Sequence, residues 1–321
     1  MSSSSKLVNA SRGCPISGST DAVLVSSEDR HGKPLRNIMC QKSGLIYVDP
    51  VPFENTEEFY KSEYRKSYKG VHRPKPKHIY RAGRLALKRI SRIEPLIDKL
   101  SACLDAGSSS GEFVYLMRKN GYEIQGVEAN EPYAEFSMKS LDVPVSITPF
   151  SKFKPEREFD LITMFHVLEH LENPVRDLRH LAESLRVGGK MVIEVPNILY
   201  PDMAFSNKWH PGHLFSYTKE SLSALMKIVG LEVIRCDDVD DGANLWGEFS
   251  KVQEMNPSPP KHSLQPEEVF ETIHKDKFFY YFRFQNYLKF IPKSIRQLKE
   301  KIHSMGKNPT EILDQLYELA S

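Results

Sequence analysis

Between residues 101 and 253, short apolar runs alternate with segments of helical spacing. This alternation limits the fold more than any other feature of the 321-residue chain. "ACLDAG" reads as a strand entering a glycine turn, "GEFVYLMRKNG" as a helix ended by Gly121, and "EIQGVEAN" as the next strand. "EPYAEFSMKSLD" follows as a helix with Pro132 in its first turn. Then come the short strand "VPVSIT" and "FDLITMFHVLEH", a buried strand running into a loop. "PVRDLRHLAESLRVGG" reads as a helix closed by Gly188 and Gly189, and "KMVIEVPN" as a strand. "TKESLSALMKIVG" is a helix with Thr218 as its N-cap, and "LEVIRCDDV" and "LWGEFSKVQ" are two further strands. The series predicts an α/β fold with a mostly parallel sheet covered on both faces.

The flanks differ in character. Residues 1–13 are polar and expected to be disordered, residues 14–60 are turn-rich and β-like, and residues 61–100 form a connector and a helix. That helix offers Ile79, Leu85, Leu87, Ile90 and Ile93 for burial. Residues 101–255 hold the alternating domain, and residues 256–321 a helical extension. Aromatic and basic residues mix over 275–303, which fits packing on the domain, a homodimer contact or peripheral membrane contact. A net charge of +2 gives no mandate for nucleic acid, so no nucleic-acid partner is expected. Four cysteines are too few for a disulfide framework in a chain this long. With no apolar signal segment and no run near the ~18 residues of a membrane span, the reading is cytoplasmic.

The glycine turn carries the chemistry. "LDAGSSSGEF" ends a strand at Asp105 and turns through Gly107, Ser109 and Gly111 into a helix. In an open parallel sheet, ligands bind beyond the carboxyl ends of the strands. The spacing does not match the G-x-G-x-x-G nicotinamide fingerprint. Glu128 ends the next strand, where a carboxylate can accept both hydroxyls of a ribose.

With these residues in place, the sequence resembles the class I S-adenosylmethionine-dependent methyltransferases, whose first motif is acid-x-Gly-x-Gly-x-Gly. Asp105, Gly107 and Gly111 match, and Ser109 replaces the middle Gly. The resemblance covers roughly residues 78–253. It implies a Rossmann-like sheet ending in an antiparallel hairpin, S-adenosylmethionine as cofactor, Glu128 on its ribose, Phe150 and Ser151 near its adenine, and Phe165 and His166 on the pocket floor.

Two N-terminal fragments, "CPISGS" and "CQKSGLIYVDP", resemble the zinc-ribbon module of some sugar methyltransferases, with Ser17 and Ser43 in place of the second Cys of each knuckle. Two thiolates are too few for a structural zinc site, so no metal is expected. Residual routes are weak zinc with a recruited His31, or a Cys14–Cys40 disulfide. "HVLEH" formally matches an inverted zinc-protease signature, but it follows a buried strand with little room for the helix that signature needs. In "WHPGHLFSY", His213 and then His210 are the expected general bases for a hydroxyl acceptor. Gly212 stands where related carbon-methylating enzymes have Glu, which favours an oxygen acceptor. Tyr64 and Tyr68 are placed on the substrate side. The reading is methyl transfer to a small molecule or glycan, first a sugar hydroxyl. The alternatives are carbon or nitrogen methylation and an inactive scaffold of the same fold.

Overall fold

The computed structural model describes residues 6–53, 74–253, 265–283 and 290–320. Tyr64 and Tyr68 lie outside the described residues. In chain order the strands are β1 (Leu7–Asn9), β2 (Asp21–Glu28), β3 (Pro34–Cys40), β4 (Ile46–Val48), β5 (Ala102–Ala106), β6 (Glu123–Glu128), β7 (Val145–Ile147), β8 (Phe159–Phe165), β9 (Leu185–Pro196), β10 (Phe215–Ser216), β11 (Leu231–Val239) and β12 (Asn244–Lys251). The α-helices are α1 (Pro76–Ile93), α2 (Glu112–Lys119), α3 (Glu131–Leu141), α4 (Pro174–Glu183), α5 (Lys219–Val229), α6 (Pro266–Phe279), α7 (Phe290–Ser304) and α8 (Pro309–Ala320).

The described residues fall into two compact units. The first comprises residues 6–53, 164–183, 190–253 and 265–283, and the second residues 74–163, 184–189 and 290–320. Strands β8 and β9 run from one unit into the other. Strand pairing gives a seven-stranded sheet of order β11-β12-β9-β8-β5-β6-β7 and a five-stranded sheet of order β1-β2-β3-β4-β10. This is the α/β, Rossmann-like arrangement expected, closed by the β11–β12 antiparallel hairpin.

In the second unit, β5 pairs in parallel with β6 and β8, and β6 with β7. Cys103, Leu104, Ala106, Val127, Leu161 and Ile162 are fully buried, as strands covered on both faces require. Helix α1 starts at Pro76, where a missing N–H is harmless. Its buried stripe is Ile79, Tyr80, Gly83, Ala86, Ile90 and Ile93. Leu85, expected inside, is 43% exposed because it falls off that stripe. Gly83 is needed for packing: a Cβ there meets Leu313 Cδ2 of α8 at 2.6 Å. Arg81 Nε donates to Glu300 of α7 at 2.8 Å, and Tyr115 OH donates to Asp314 of α8 at 2.7 Å.

In the first unit the five-stranded sheet is antiparallel throughout. Residues 7–9 were expected without structure, yet they form β1, because the edge of β2 supplies the ladder partners Val23, Ala22 and Asp21. Val269 and Ile273 of α6 pack with Val23, Val25, Met39, Ile46, Ile198 and Trp209. Helix α5 carries its cap as read: Thr218 Oγ1 accepts from Ser221 N at 3.2 Å. Helix α4 ends at Glu183, not at Gly188 and Gly189. Those glycines lie inside β9, where the Phe159 carbonyl comes within 3.1 Å of a Cβ built on Gly189.

Candidate functional site

The second unit presents the glycine turn. Gly107, Ser109 and Gly111 all have positive φ, at 86°, 51° and 84°. Ser109 therefore takes the left-handed conformation in which glycine is free and a side chain is strained. Gly111 is also sterically fixed, since an added Cβ meets Ser137 Cβ at 2.5 Å. The turn is tied to the end of β6: Gly107 N–H donates to the Val127 carbonyl at 2.7 Å. Ser109 N–H donates to Glu128 Oε2 and Asn130 N–H to Glu128 Oε1, each at 2.8 Å. Glu128 is half-buried, and both its oxygens are already oriented at the strand end. Phe150 and Ser151 stand in a short 3₁₀ turn after β7.

Asp105 stands one residue before the end of β5 and is buried, 3% exposed. Thr163 Oγ1 donates to Asp105 Oδ1 at 2.8 Å. Burial pushes the Asp105 carboxyl up to about 7, the Thr163 hydrogen bond opposing it. The folded protein therefore holds this proton at pH values where the unfolded chain has lost it. Stability contributed by Asp105 is fully present below about pH 4 and lost as pH rises through about 7. We expect Asp105→Asn, which keeps an acceptor for Thr163, to remove this loss. Relative to the variant, the parent falls by at most about 4 kcal/mol between pH 4 and 8. Urea denaturation of both proteins across that range measures it, and a pH-independent difference contradicts it.

The first unit holds Phe165, His166 and a histidine cluster. Phe165 stacks on Trp246 with centroids 5.9 Å apart. His166 has φ 55°, its N–H donates to the Glu194 carbonyl at 2.8 Å, and its Nε2 lies 3.0 Å from Glu194 Oε1. Burial opposes charge on His166, but Glu169 and Glu194 outweigh it and raise its pKa to about 9. His170 Nδ1 lies 2.6 Å from the Gly212 carbonyl. A carbonyl only accepts, so Nδ1 carries the proton. Gly212 N–H donates to His210 Nδ1 at 3.0 Å, which leaves the proton of neutral His210 on Nε2. His210 and His213 stack with centroids 4.2 Å apart, and His213 meets His170 edge-on at 4.9 Å. Burial, with repulsion from neighbouring His and Arg side chains, lowers the pKa of both, His210 to about 3 and His213 well below the usual range. Both imidazoles are neutral at pH 7. His210 Nδ1 is occupied by the backbone, so His213 is the better placed of the two expected bases.

The histidine loop rests on the N-terminal strands of its own unit. Strand β10 pairs with β4, Val48 N–H donates to the Leu214 carbonyl at 2.9 Å, and Arg30 N–H donates to the Trp209 carbonyl at 2.8 Å. The two half-knuckles converge. Cys14 Sγ lies 3.2 Å from Ser43 Oγ, and Ser17 Oγ lies 3.2 Å from Cys40 Sγ. Interaction between the two thiols holds the Cys40 pKa below its ordinary value and that of Cys14 above it. Both cysteines are free thiols, not a disulfide. The Nε2 of His31, the recruited ligand considered above, accepts from Arg30 Nε at 3.2 Å.

Sequence reading missed Glu194, Thr163 and the Gly212 contact of His170. The first two left a signal: a lone carboxylate in "KMVIEVPN" and a lone hydroxyl in "FDLITMF" need partners inside an apolar sheet. Nothing in the sequence marks a backbone carbonyl as a partner for His170.

Among the described residues, no helix is long and apolar enough to cross a membrane. Residues 78–235 match a family model described as "Methyltransferase domain". The chain is 27% identical over 205 residues to the tRNA U34 carboxymethyltransferase of Tolumonas auensis, covering 57% of this chain and 59% of that protein. It is 28% identical over 171 residues to the enzyme of the same name from Shewanella loihica, covering 46% and 50%. The chain thus spans between half and three-fifths of the length of these curated relatives. A solved magnesium protoporphyrin IX methyltransferase from Synechocystis aligns with a TM-score of 0.49 at 10% identity, covering 61% of this chain and 97% of that one. The relatives' name overturns the expectation that nucleic acid plays no part. That expectation rested on net charge, which sums over the whole surface and does not identify an acceptor.

Proposed function

We propose that this chain, which carries an S-adenosylmethionine-dependent methyltransferase domain over residues 78–235, moves the cofactor's methyl group to an oxygen acceptor, with a sugar hydroxyl as the first class. One arrangement supports the cofactor half: the Gly107–Gly111 turn at the end of β5, with the Glu128 carboxylate holding its Ser109 amide. Asp105, Gly107, Ser109 and Gly111 shape the backbone under the cofactor. Glu128 accepts from the ribose hydroxyls. Phe150 and Ser151 flank the adenine. Transfer is an in-line displacement: the acceptor oxygen bonds the methyl carbon, the sulfur–methyl bond breaks, and S-adenosylhomocysteine leaves. The acceptor proton must pass to a base. His213, neutral and half-buried, is that base, with His210 stacked against it.

A second reading has an observation of its own. The relatives named for tRNA U34 favour a nucleoside of RNA as acceptor. Incubating the full chain with methyl-labelled S-adenosylmethionine and either nucleotide sugars or unmodified tRNA separates the two. The first reading expects label in the sugar fraction, reduced at least about 100-fold by His213→Ala. Label in the RNA fraction alone replaces it with the second. No label in either, from protein that binds S-adenosylhomocysteine, removes both acceptor classes.

A further inference from the structure

We infer that Glu169, His170 and His213 form a binding site for one divalent transition-metal ion. One ligand atom from each of the three lies within 4.8 Å of the others. The Glu169 side chain is 1% exposed, and neither of its oxygens accepts a hydrogen bond. A buried carboxylate without donors is costly unless a cation compensates it. Its ionisable neighbours are His166 Nδ1 at 3.4 Å and His170 Nε2 at 4.0 Å. His166, shared between Glu194 through Nε2 and Glu169 through Nδ1, offsets part of that charge and stands outside the set.

His170 is held as metal-bound histidines are. Its Nδ1–H is fixed on the Gly212 carbonyl, which leaves the Nε2 lone pair facing Glu169. The same loop seats His213, whose backbone N–H donates to the His210 carbonyl at 3.0 Å. Zinc with ligands at about 2.0–2.1 Å needs them about 3.3 Å apart, so closing the set takes side-chain movement of about 1.5 Å or less. Two imidazoles and one carboxylate leave the fourth position open for water or an acceptor oxygen. The donor set suits zinc, iron or nickel better than magnesium or calcium. The inference departs from the sequence expectation of no metal. The H-x-x-E-H pattern pairs His166 with His170, whereas the fold brings His170 and the signature's Glu169 together with His213. With an ion bound, His213 is a ligand and no longer the base: the ion would bind the acceptor hydroxyl and acidify it, and the proton would pass to solvent. That role rests on the proposed function; binding of the ion does not.

The test uses the full chain, stripped with a chelator and titrated with zinc by calorimetry and with cobalt by absorption. The parent is expected to bind one ion with the weak absorption of nitrogen and oxygen ligands. Glu169→Gln and His213→Gln are each expected to weaken binding at least about 100-fold. Ion-free His213→Gln, which leaves Glu169 beside His166, should keep the far-ultraviolet circular dichroism of the ion-free parent, so that lost ion binding is separated from lost fold. No binding by the parent overturns the site. So does equal binding by the variants, or only the intense thiolate–cobalt band that would place the ion at Cys14 and Cys40. Labelled-methyl transfer that survives chelation beside intact zinc binding overturns only the ion's role in transfer.

Discussion

The Ser17→Cys/Ser43→Cys double variant is expected to bind one zinc ion more than the parent, with nanomolar or tighter affinity. The structure already brings four side chains together in crossed pairs, Cys14 with Ser43 and Ser17 with Cys40, each at 3.2 Å. Both fragments fold as matching turns, with Gly18 N–H on the Cys14 carbonyl at 2.8 Å and Gly44 N–H on the Cys40 carbonyl at 3.0 Å. Around zinc, sulfurs about 2.3 Å from the metal stand about 3.8 Å apart. Replacing an oxygen by the longer, larger sulfur moves the contacts in that direction. Restored tetrathiolate sites of this kind are worth on the order of 10 kcal/mol in apparent binding energy. Metal analysis after exhaustive dialysis, with thermal melts in and out of chelator, reads the result. A folded variant that retains no extra zinc would mean that the two turns no longer close around a metal-sized space.

Glu128→Ala should abolish measurable cofactor binding, with a loss of at least about 100-fold in calorimetric titration with S-adenosylhomocysteine. The carboxylate has two tasks. It offers acceptors at the strand end, and it fixes the amides of Ser109 and Asn130 at 2.8 Å each. Hydrogen bonds to a charged group contribute roughly 1.5–3 kcal/mol each, so losing one ribose contact and one loop restraint already exceeds two decades. Glu128→Gln keeps the shape and one acceptor, and should fall between the two. Ser109 makes the restraint matter, because a side chain at φ 51° gains nothing from staying there unless its amide is held. Binding by Glu128→Ala within threefold of the parent would dismiss Glu128 as the ribose acceptor.

Much of this was legible in the residues. Strand–helix alternation is imposed by two different periods of apolar residues, and β5, β6, β8, α2, α3 and α5 stand where those periods place them. Asp105 and Glu128 could be read as strand-end acids because each closes an apolar run. The misses share a cause. The stretch after Glu183 keeps helical spacing in sequence but pairs as β9, a choice made by neighbouring strands. β1, Leu7–Asn9 within a mostly polar stretch, became a strand because an open edge lay beside it. At the histidine loop, the tautomers of His170 and His210 are set by the backbone of Gly212, which no side-chain pattern encodes.

The pairing of β4 with β10 also bears on where the chain can be cut. A fragment beginning near residue 78, where the family match starts, would lack Ile46 and Tyr47, the ladder partners of Ser216 and Phe215. Phe215 and Tyr217, buried in the whole chain, would lie beside a bare strand edge. An apolar strand with unpaired amides recruits other chains, so such a fragment would be expected to precipitate for reasons unrelated to the chemistry of the domain it was cut to isolate.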